Sequence, residues 1–258
     1  MSESSIFRWH EGELHLLEYC DMADATIAAA DSWLVTDGST LALDRHRQRF
    51  FDAADGLIDD LDSFWSTSIA AIPRTGDWFP RVEVQLRGGA TLAMFRRRSA
   101  PDRSRSVRFA SHRGADPRTA PRTKGPDTAA LLGIRTEAQA AGADEAVILS
   151  SDGFVVEGAY SAILWWRGDV LCAPSPQLDR VDSVTAGSVI ALATALGIEV
   201  YYESVLPSEL DGCEIWALSA LHGIRIVTAW INGPSPAELP GRLARWRDRL
   251  DRLRQPRQ

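Results

Sequence analysis

The second half of the chain mixes strand-like and helical segments without strict alternation. Strand patterns bounded by turn residues recur along it, most clearly at 145–150, 213–220 and 223–231. Helical periodicity predicts helices over about 127–141, 185–196 and 236–255. Because a doubly wound parallel sheet requires strands and helices to alternate regularly, this order favours an α+β fold.

The first half is predicted to form a smaller domain that ends in a linker. Residues 80–98 alternate with period two on both sides of Gly88-Gly89, which predicts a hairpin. The segment 99–123 is rich in Pro, Arg and Ser, which indicates one strand and a connection between domains. We therefore expect a smaller α+β domain over 1–115, a linker at 116–123 and a larger domain over 124–258.

Composition narrows the functional class and the compartment. The net charge of −7 over 258 residues argues against a dedicated nucleic-acid partner. No apolar stretch is long enough to predict a membrane span, and the N-terminus lacks the pattern of a signal peptide. Cys20, Cys172 and Cys213 are widely spaced and fit neither a disulfide framework nor a zinc site. We expect a cytoplasmic protein without a bound metal.

The chain contains a single lysine, Lys124, among 28 basic residues. Arginine stays protonated in proteins, whereas a desolvated lysine can lose its proton and attack a carbonyl to form a Schiff base. A lone lysine in a chain that otherwise uses arginine is therefore a candidate nucleophile. The alternative is chance, with one solvated lysine left by a compositional bias.

The residues around this lysine resemble the motifs of one enzyme family. A helix follows Lys124, and Glu157 lies 157 − 124 = 33 residues further on, in a strand. Residues 183–186 then resemble a turn into a helix, and residues 218–224 resemble a strand that ends in a hydroxyl-bearing loop. In the first half, residues 46–50 resemble the family's helix with His and Arg three residues apart. Together these motifs are similar to those of the fold type IV pyridoxal-phosphate enzymes, which include class IV aminotransferases, D-amino acid aminotransferase and aminodeoxychorismate lyase.

The resemblance implies a catalytic lysine and a carboxylate for pyridoxal 5'-phosphate (PLP). Lys124 would hold the cofactor as a Schiff base and later move a proton at the substrate Cα. Glu157 would lie beside the ring nitrogen and keep it protonated, because a neighbouring carboxylate favours the charged form. Without the resemblance, Glu157 would be interpreted as an ordinary edge-strand glutamate.

The resemblance also implies a phosphate site. Arg49 matches the family's phosphate arginine, and a guanidinium fork suits a phosphate group. Val184 and Thr185 would offer amides at a helix N-terminus, which binds anions. Ser219 would add its hydroxyl, and Ala220 its amide. The plainer interpretations are a surface arginine, a helix cap and a strand-end hydroxyl.

The chain departs from the family where the substrate enters. Residues 29–33 replace the usual entrance motif, Ala186 replaces an arginine and Ala162 replaces an asparagine. We expect an aminotransferase for an amino acid and a 2-oxo acid, with aminodeoxychorismate lyase as the alternative and a non-catalytic PLP-binding relative as a third possibility. Arg96, Arg97 and Arg98 are candidates to face substrate carboxylates, although a solvated strand end is the simpler interpretation. The family also implies a homodimer.

Overall fold

A computed structural model describes residues 4–17 and 25–257 of the chain. Its strands, in chain order, are β1 Ser4–His10, β2 Glu13–Leu16, β3 Thr26–Ser32, β4 Val35–Thr36, β5 Ser39–Leu41, β6 Asp77–Trp78, β7 Arg81–Arg87, β8 Ala90–Arg98, β9 Ser106–Ser111, β10 Glu145–Leu149, β11 Val155–Gly158, β12 Ala162–Arg167, β13 Val170–Pro174, β14 Val200–Glu203, β15 Glu214–Ser219, β16 Gly223–Ile231 and β17 Arg254–Pro256. Its α-helices are α1 Leu43–Ala54, α2 Leu61–Ala70, α3 Thr128–Ala140, α4 Val184–Ala195 and α5 Arg242–Asp251, and a short 3₁₀ helix spans Pro207–Leu210.

The described residues form two compact units, and the first comprises those that fall within 1–102, 123–128 and 253–258. One of its sheets has the strand order β2-β1-β8-β7-β3, and a smaller one has the order β17-β5-β4-β6. The predicted hairpin is confirmed, because β7 pairs antiparallel with β8 across Gly88-Gly89. Phe50 of α1 and Phe64 of α2 are buried in one apolar cluster with Val82, Val84 and Phe95 of the sheet. Apolar residues at alternate strand positions thus give the sheet one face that is covered by helices.

The second unit comprises residues 103–122 and 129–252 and is built on a mixed sheet. Its strand order is β11-β10-β9-β16-β15-β12-β13-β14, with β9 parallel to both of its neighbours. The main apolar cluster of this sheet includes Phe109, Ile163, Trp165 and Ile215, all essentially inaccessible to solvent. The mixture of strand directions agrees with the expected α+β class.

The two compact units differ from the predicted domain limits of 1–115 and 124–258. Residues 103–115 lie in the second unit because β9 pairs with β10 and β16 of its sheet. Lys124 lies in the first unit, where its carbonyl accepts a hydrogen bond from Ala30 of β3. Long-range strand pairing of this kind leaves no signal in local composition.

The predicted C-terminal helix over 236–255 is too long at both ends. Helix α5 spans Arg242–Asp251 and follows Gly241, whose positive φ of 79° ends the preceding loop in a conformation that suits glycine. Beyond the helix, β17 pairs with β5 instead of continuing as a helix. The helical periodicity of residues 236–255 thus predicts a longer helix than the strand pairing allows.

Candidate active site

Lys124 lies on a segment that is fixed to the edge of β3. Its carbonyl oxygen accepts the amide hydrogen bond of Ala30 at 2.7 Å. A Cβ atom on the next residue, Gly125, would lie 2.8 Å from the Ala30 nitrogen and 2.9 Å from the Ala29 carbonyl carbon. Since Gly125 also has a φ of 132°, only glycine lets the backbone after the lysine approach the strand this closely.

A buried cluster of charged side chains occupies the helix-covered side of the same strand. Asp31 is fully buried and its carboxylate accepts hydrogen bonds from Nε and Nη2 of Arg49, each at 2.8 Å. His46 Nδ1 lies 2.9 Å from the same carboxylate. Arg49 and His46 are three residues apart on α1, so they project from one face of the helix toward Asp31.

The charges in this cluster depend on one another. Burial alone would raise the pKa of Asp31, but the nearby Arg49 and His46 outweigh it and hold that pKa well below its usual range. Burial lowers the pKa of His46 from its ordinary value, while the Asp31 charge opposes that effect. Lys124 is close enough for its positive charge to lower the pKa of His46 as well. Asp31 is therefore ionised at neutral pH and holds the arginine that is predicted to bind phosphate.

Glu157 lies in the second unit, on β11, and is buried. Its carboxylate accepts a hydrogen bond from Nη1 of Arg118, a side chain that no sequence motif marks. Strand β11 pairs antiparallel with β10, with Glu157 opposite Ile148. Strand β11 is an edge strand of its sheet, as the plainer interpretation expects, but the Glu157 carboxylate is buried and paired with a charged side chain instead of being solvated.

The N-terminus of α4 presents amide groups suited to an anion. Ser183 caps the helix, because its Oγ accepts the Ala186 amide at 3.2 Å and its carbonyl accepts the Gly187 amide at 2.8 Å. The amides of Val184 and Thr185 precede these and have no acceptor within the helix. Both residues are buried, so these amides and the helix dipole favour a bound anion.

Ser219 and Ala220 lie in the tight connection between β15 and β16. Ser219 ends β15 opposite Gly223, which begins β16 with a φ of 67°. The Oγ of Ser219 accepts the amide of His222 at 3.3 Å, so this hydroxyl also stabilises the turn. Ser219 therefore has the structural role expected for a strand-end hydroxyl. Because its Oγ acts as an acceptor in this bond, its hydroxyl proton is available for another acceptor.

The predicted residues fall into two groups. Lys124 and Arg49 belong to the first compact unit, while Glu157, Val184, Thr185, Ser219 and Ala220 belong to the second. A cavity of about 840 Å³ in the second unit, lined by Ser111, His112, Glu137 and Asn232 among others, involves none of them.

Sequence reasoning missed the partners of the predicted residues. Asp31 lies in the segment 29–33 that replaces the entrance motif, and His46 lies in a helix motif, but neither was predicted to contact Arg49. The spacing of His46 and Arg49 on one helix could have indicated a shared partner, but nothing local identified Asp31. Arg118 lay in the segment interpreted as a linker, where arginine is common.

Arg97 does not share the position of its neighbours in β8. Its Nη1 lies 3.4 Å from the carbonyl of Ala71, after α2, and its guanidinium lies 5.5 Å from the ring centre of Phe7. Successive side chains of a strand point to opposite faces, so Arg96 and Arg98 lie on the other side of the sheet. Of the three candidate arginines, these two share a face.

Comparison with known families identifies the chain. The model of the family described as amino-transferase class IV matches residues 28–230, which is most of the sequence. The chain belongs to the class IV aminotransferases. It is therefore an enzyme that depends on PLP.

Several solved structures of this family resemble the chain along nearly its whole length. A hypothetical aminotransferase from Mycobacterium tuberculosis, in a PLP-bound form, is 18% identical with a TM-score of 0.81, covering 97% of this chain and 98% of that one. A branched-chain aminotransferase from Thermoproteus uzoniensis, with norvaline, is 19% identical with a TM-score of 0.80, covering 96% and 94%. A putative 4-amino-4-deoxychorismate lyase from Legionella pneumophila is 16% identical with a TM-score of 0.76, covering 87% and 90%. The expected fold type IV architecture is confirmed by these likenesses.

The remaining comparisons and searches are negative. No curated protein matches the chain. Within residues 4–17 and 25–257, no helix is both long and apolar enough to cross a membrane. The same residues contain no group of three or more His, Cys, Asp or Glu side chains placed to hold a metal ion.

Proposed function

We propose that this protein transfers an amino group between an amino acid and a 2-oxo acid, with Lys124 as the residue that binds PLP covalently. The observation that carries the proposal is the fixed position of the only lysine. Gly125 permits its segment to lie directly against β3, beside the buried Asp31, His46 and Arg49. A solvated lysine left by chance would not require such a close backbone approach.

The chemistry of the donors fits PLP. The cofactor carries a phosphate, for which the amides of Val184 and Thr185 and the Ser219 hydroxyl are suitable donors. Its ring nitrogen needs a carboxylate, and Glu157 supplies one that is buried and ionically paired. When bound, PLP supplies an electron sink for the charge that develops at the substrate Cα.

Each residue then has a definite task. Lys124 would act as general base and general acid, moving a proton from the substrate Cα to the cofactor carbon that accepts the amino group. Glu157 would hold the proton of the ring nitrogen. Arg49 would contribute positive charge to the phosphate site, and Asp31 would fix the direction of its guanidinium through two parallel hydrogen bonds.

A cluster of arginines on the other face of the first sheet is suited to substrate carboxylates. Glu83 of β7 is 1% exposed and accepts hydrogen bonds from Arg81 Nε at 2.6 Å and Arg96 Nε at 2.8 Å. Burial and the charges of Arg81 and Arg96 lower the pKa of Arg98 to about 10. Glu83 is thus ion-paired with Arg81 and Arg96, while Arg98 donates a hydrogen bond to the Phe79 carbonyl at 2.7 Å.

The unmatched positive charge of that cluster supports a role in binding an anion. Nη2 of Arg81 is buried without a hydrogen-bond partner among the described residues. Buried polar groups are rarely left unpaired in proteins, and such groups mark positions where a ligand completes the bonding. We propose that Arg81, Arg96 and Arg98 bind a carboxylate of the amino acid or 2-oxo acid.

We further propose a cytoplasmic homodimer. Cys172 and Cys213 are buried and unbonded to each other, which suits a reducing compartment, whereas Cys20 lies outside the described residues. Two-fold symmetry is the commonest arrangement of soluble oligomers. Light scattering at micromolar concentration should give the mass of two chains, and a mass of one chain would contradict this part of the proposal.

Half-reaction spectra test the reaction itself. With a suitable L- or D-amino acid, an aminotransferase should lose the yellow absorbance of its bound cofactor and recover it when a 2-oxo acid is added. A lyase should keep its resting spectrum while 4-aminobenzoate accumulates from aminodeoxychorismate. Consumption of aminodeoxychorismate, with no bleaching by a broad panel of amino acids, would replace the transfer reaction by the lyase reaction.

A further inference from the structure

Arg118 is a buried arginine whose guanidinium bonds to two carboxylates and one backbone carbonyl. Its side chain is only 2% exposed. Nε donates to Oδ1 of Asp116 at 2.9 Å, and Nη2 donates to Oδ2 of Asp116 at 2.6 Å and to the carbonyl of Asp179 at 3.0 Å. Nη1 is left to face Glu157, to which it donates a hydrogen bond. One guanidinium thus connects the two carboxylates of Asp116 and Glu157.

This arrangement sets the charge around Glu157. A guanidinium in direct contact with a carboxylate stabilises the ionised form of that carboxylate and so lowers the carboxylate's affinity for a proton. A second carboxylate on the same guanidinium, that of Asp116, opposes that effect, and the three groups of Asp116, Arg118 and Glu157 then sum to a charge of −1. Burial would raise the pKa of Asp116, but its hydrogen bonds from Arg118 keep that pKa below the ordinary value, so Asp116 is ionised.

Another cation lies near the same carboxylate. The Glu157 charge raises the pKa of Arg180, although burial lowers it overall. Arg180 donates its hydrogen bonds to the carbonyls of Pro174, Ser175 and Leu178. The loop before α4 therefore fixes the position of Arg180. Its charge should stay in place when Asp116 or Arg118 is substituted.

We propose that Asp116 and Arg118 are positioning residues that tune the proton affinity of the cofactor's ring nitrogen through Glu157. The inference rests on the proposed role of Glu157 in the PLP site. Arg118 orients the Glu157 carboxylate and reduces its basicity, and Asp116 restores part of that basicity. Loss of the Asp116 charge should therefore weaken the bond between the ring nitrogen and its proton, and loss of the Arg118 charge should strengthen it.

The test is the ¹⁵N resonance of holoenzyme reconstituted with PLP labelled at the ring nitrogen. Protonation moves this resonance far upfield, and a proton held less firmly moves it back. At fixed pH, Asp116→Asn should move it downfield and Arg118→Gln upfield. One charge several ångströms away in a protein changes a proton affinity by about tenfold, which sets the expected size of the shift.

Two further variants make the result decisive. Glu157→Gln should give the largest downfield movement, and its failure to move the resonance would refute the role of Glu157 and with it the proposed site. Arg122→Gln removes an exposed arginine that pairs with Asp179 in the same region, and it should leave the resonance unchanged.

A purely structural role for Arg118 predicts a different pattern. The variants would then unfold at lower temperature without opposite shifts of the ¹⁵N resonance. If Arg118→Gln does not fold, Asp116→Asn decides the matter alone, because the Asp116 side chain is 31% exposed and its loss creates no cavity. An Asp116→Asn resonance equal to that of the wild type, with Glu157→Gln clearly shifted, would overturn the inference and leave the proposed function intact.

Discussion

Removing the charge of Asp31 should destabilise the first unit more than most single substitutions would. Asp31 is fully buried, and its carboxylate receives two hydrogen bonds from Arg49 while His46 lies 2.9 Å away. The substitution Asp31→Asn keeps the volume and removes the charge. The guanidinium of Arg49, only 15% exposed, would then lose its ion pair with that carboxylate.

The expected cost follows from that burial. Breaking a buried ion pair by removing one partner costs about 3–5 kcal/mol, because the remaining charge is left without compensation. In a chain of this size each kcal/mol lowers the melting temperature by about 2–4 °C, so a loss on the order of 10 °C is expected. The direction of the Asp31 pKa agrees, since a carboxylate whose pKa is depressed by folding stabilises the folded state above that pKa.

Thermal and urea unfolding of the purified protein at pH 7 would measure the effect. The matched control is Asp62→Asn, which breaks the pair between Asp62 and Arg47, another arginine of the same helix. That pair is exposed, at 77% and 38%, so its loss should cost about 1 kcal/mol or less. Equal losses in the two variants would refute the reasoning that burial makes the Asp31 pair important.

Two other predictions concern protonation. Stability should fall as the pH drops below about 6.5, because burial lowers the pKa of His46 and lowers that of His222 to about 4. The unfolded chain then takes up protons that the folded chain does not. Unfolding midpoints measured between pH 8 and 4 check this, and a flat profile above pH 5 would contradict it. Glu157→Gln should keep the fold but reduce turnover on the order of 10²-fold or more. The reason is that each pKa unit lost at the ring nitrogen is worth about 1.4 kcal/mol, and a shift of a few units is expected. Steady-state rates equal to those of the wild type would assign the role to another carboxylate.

Local patterns predicted the local structures well. The hairpin of β7 and β8 followed from alternation around two glycines, and α4, predicted over 185–196 after a turn at 183–186, spans Val184–Ala195. The strand pair at the N-terminus, β1 with β2, was missed although Glu11-Gly12 is a turn signal between them. The C-terminal helix was predicted too long, because the pairing of β17 with β5 depends on residues far away in the sequence.

In the candidate site, too, some residues could be predicted from the sequence and others could not. Lys124 could be singled out from composition, and the motifs after it led to Glu157 and the α4 N-terminus. The partners that control their charge could not be predicted, because they depend on the fold. Asp31 meets Arg49 across 18 positions, and Arg118 meets Glu157 across 39. Such pairs carry no periodicity and no fixed spacing, so only the three-dimensional arrangement reveals them.

The central claim is that Lys124 carries the cofactor, and borohydride reduction of the purified holoenzyme tests it most directly. The protein should be yellow, and after reduction and digestion the mass of the reduced cofactor should appear on the peptide that contains Lys124. Lys124→Ala should bind PLP without a covalent link and yield no such peptide. A protein that remains colourless when PLP is added, or one whose label is found away from Lys124, would contradict the account.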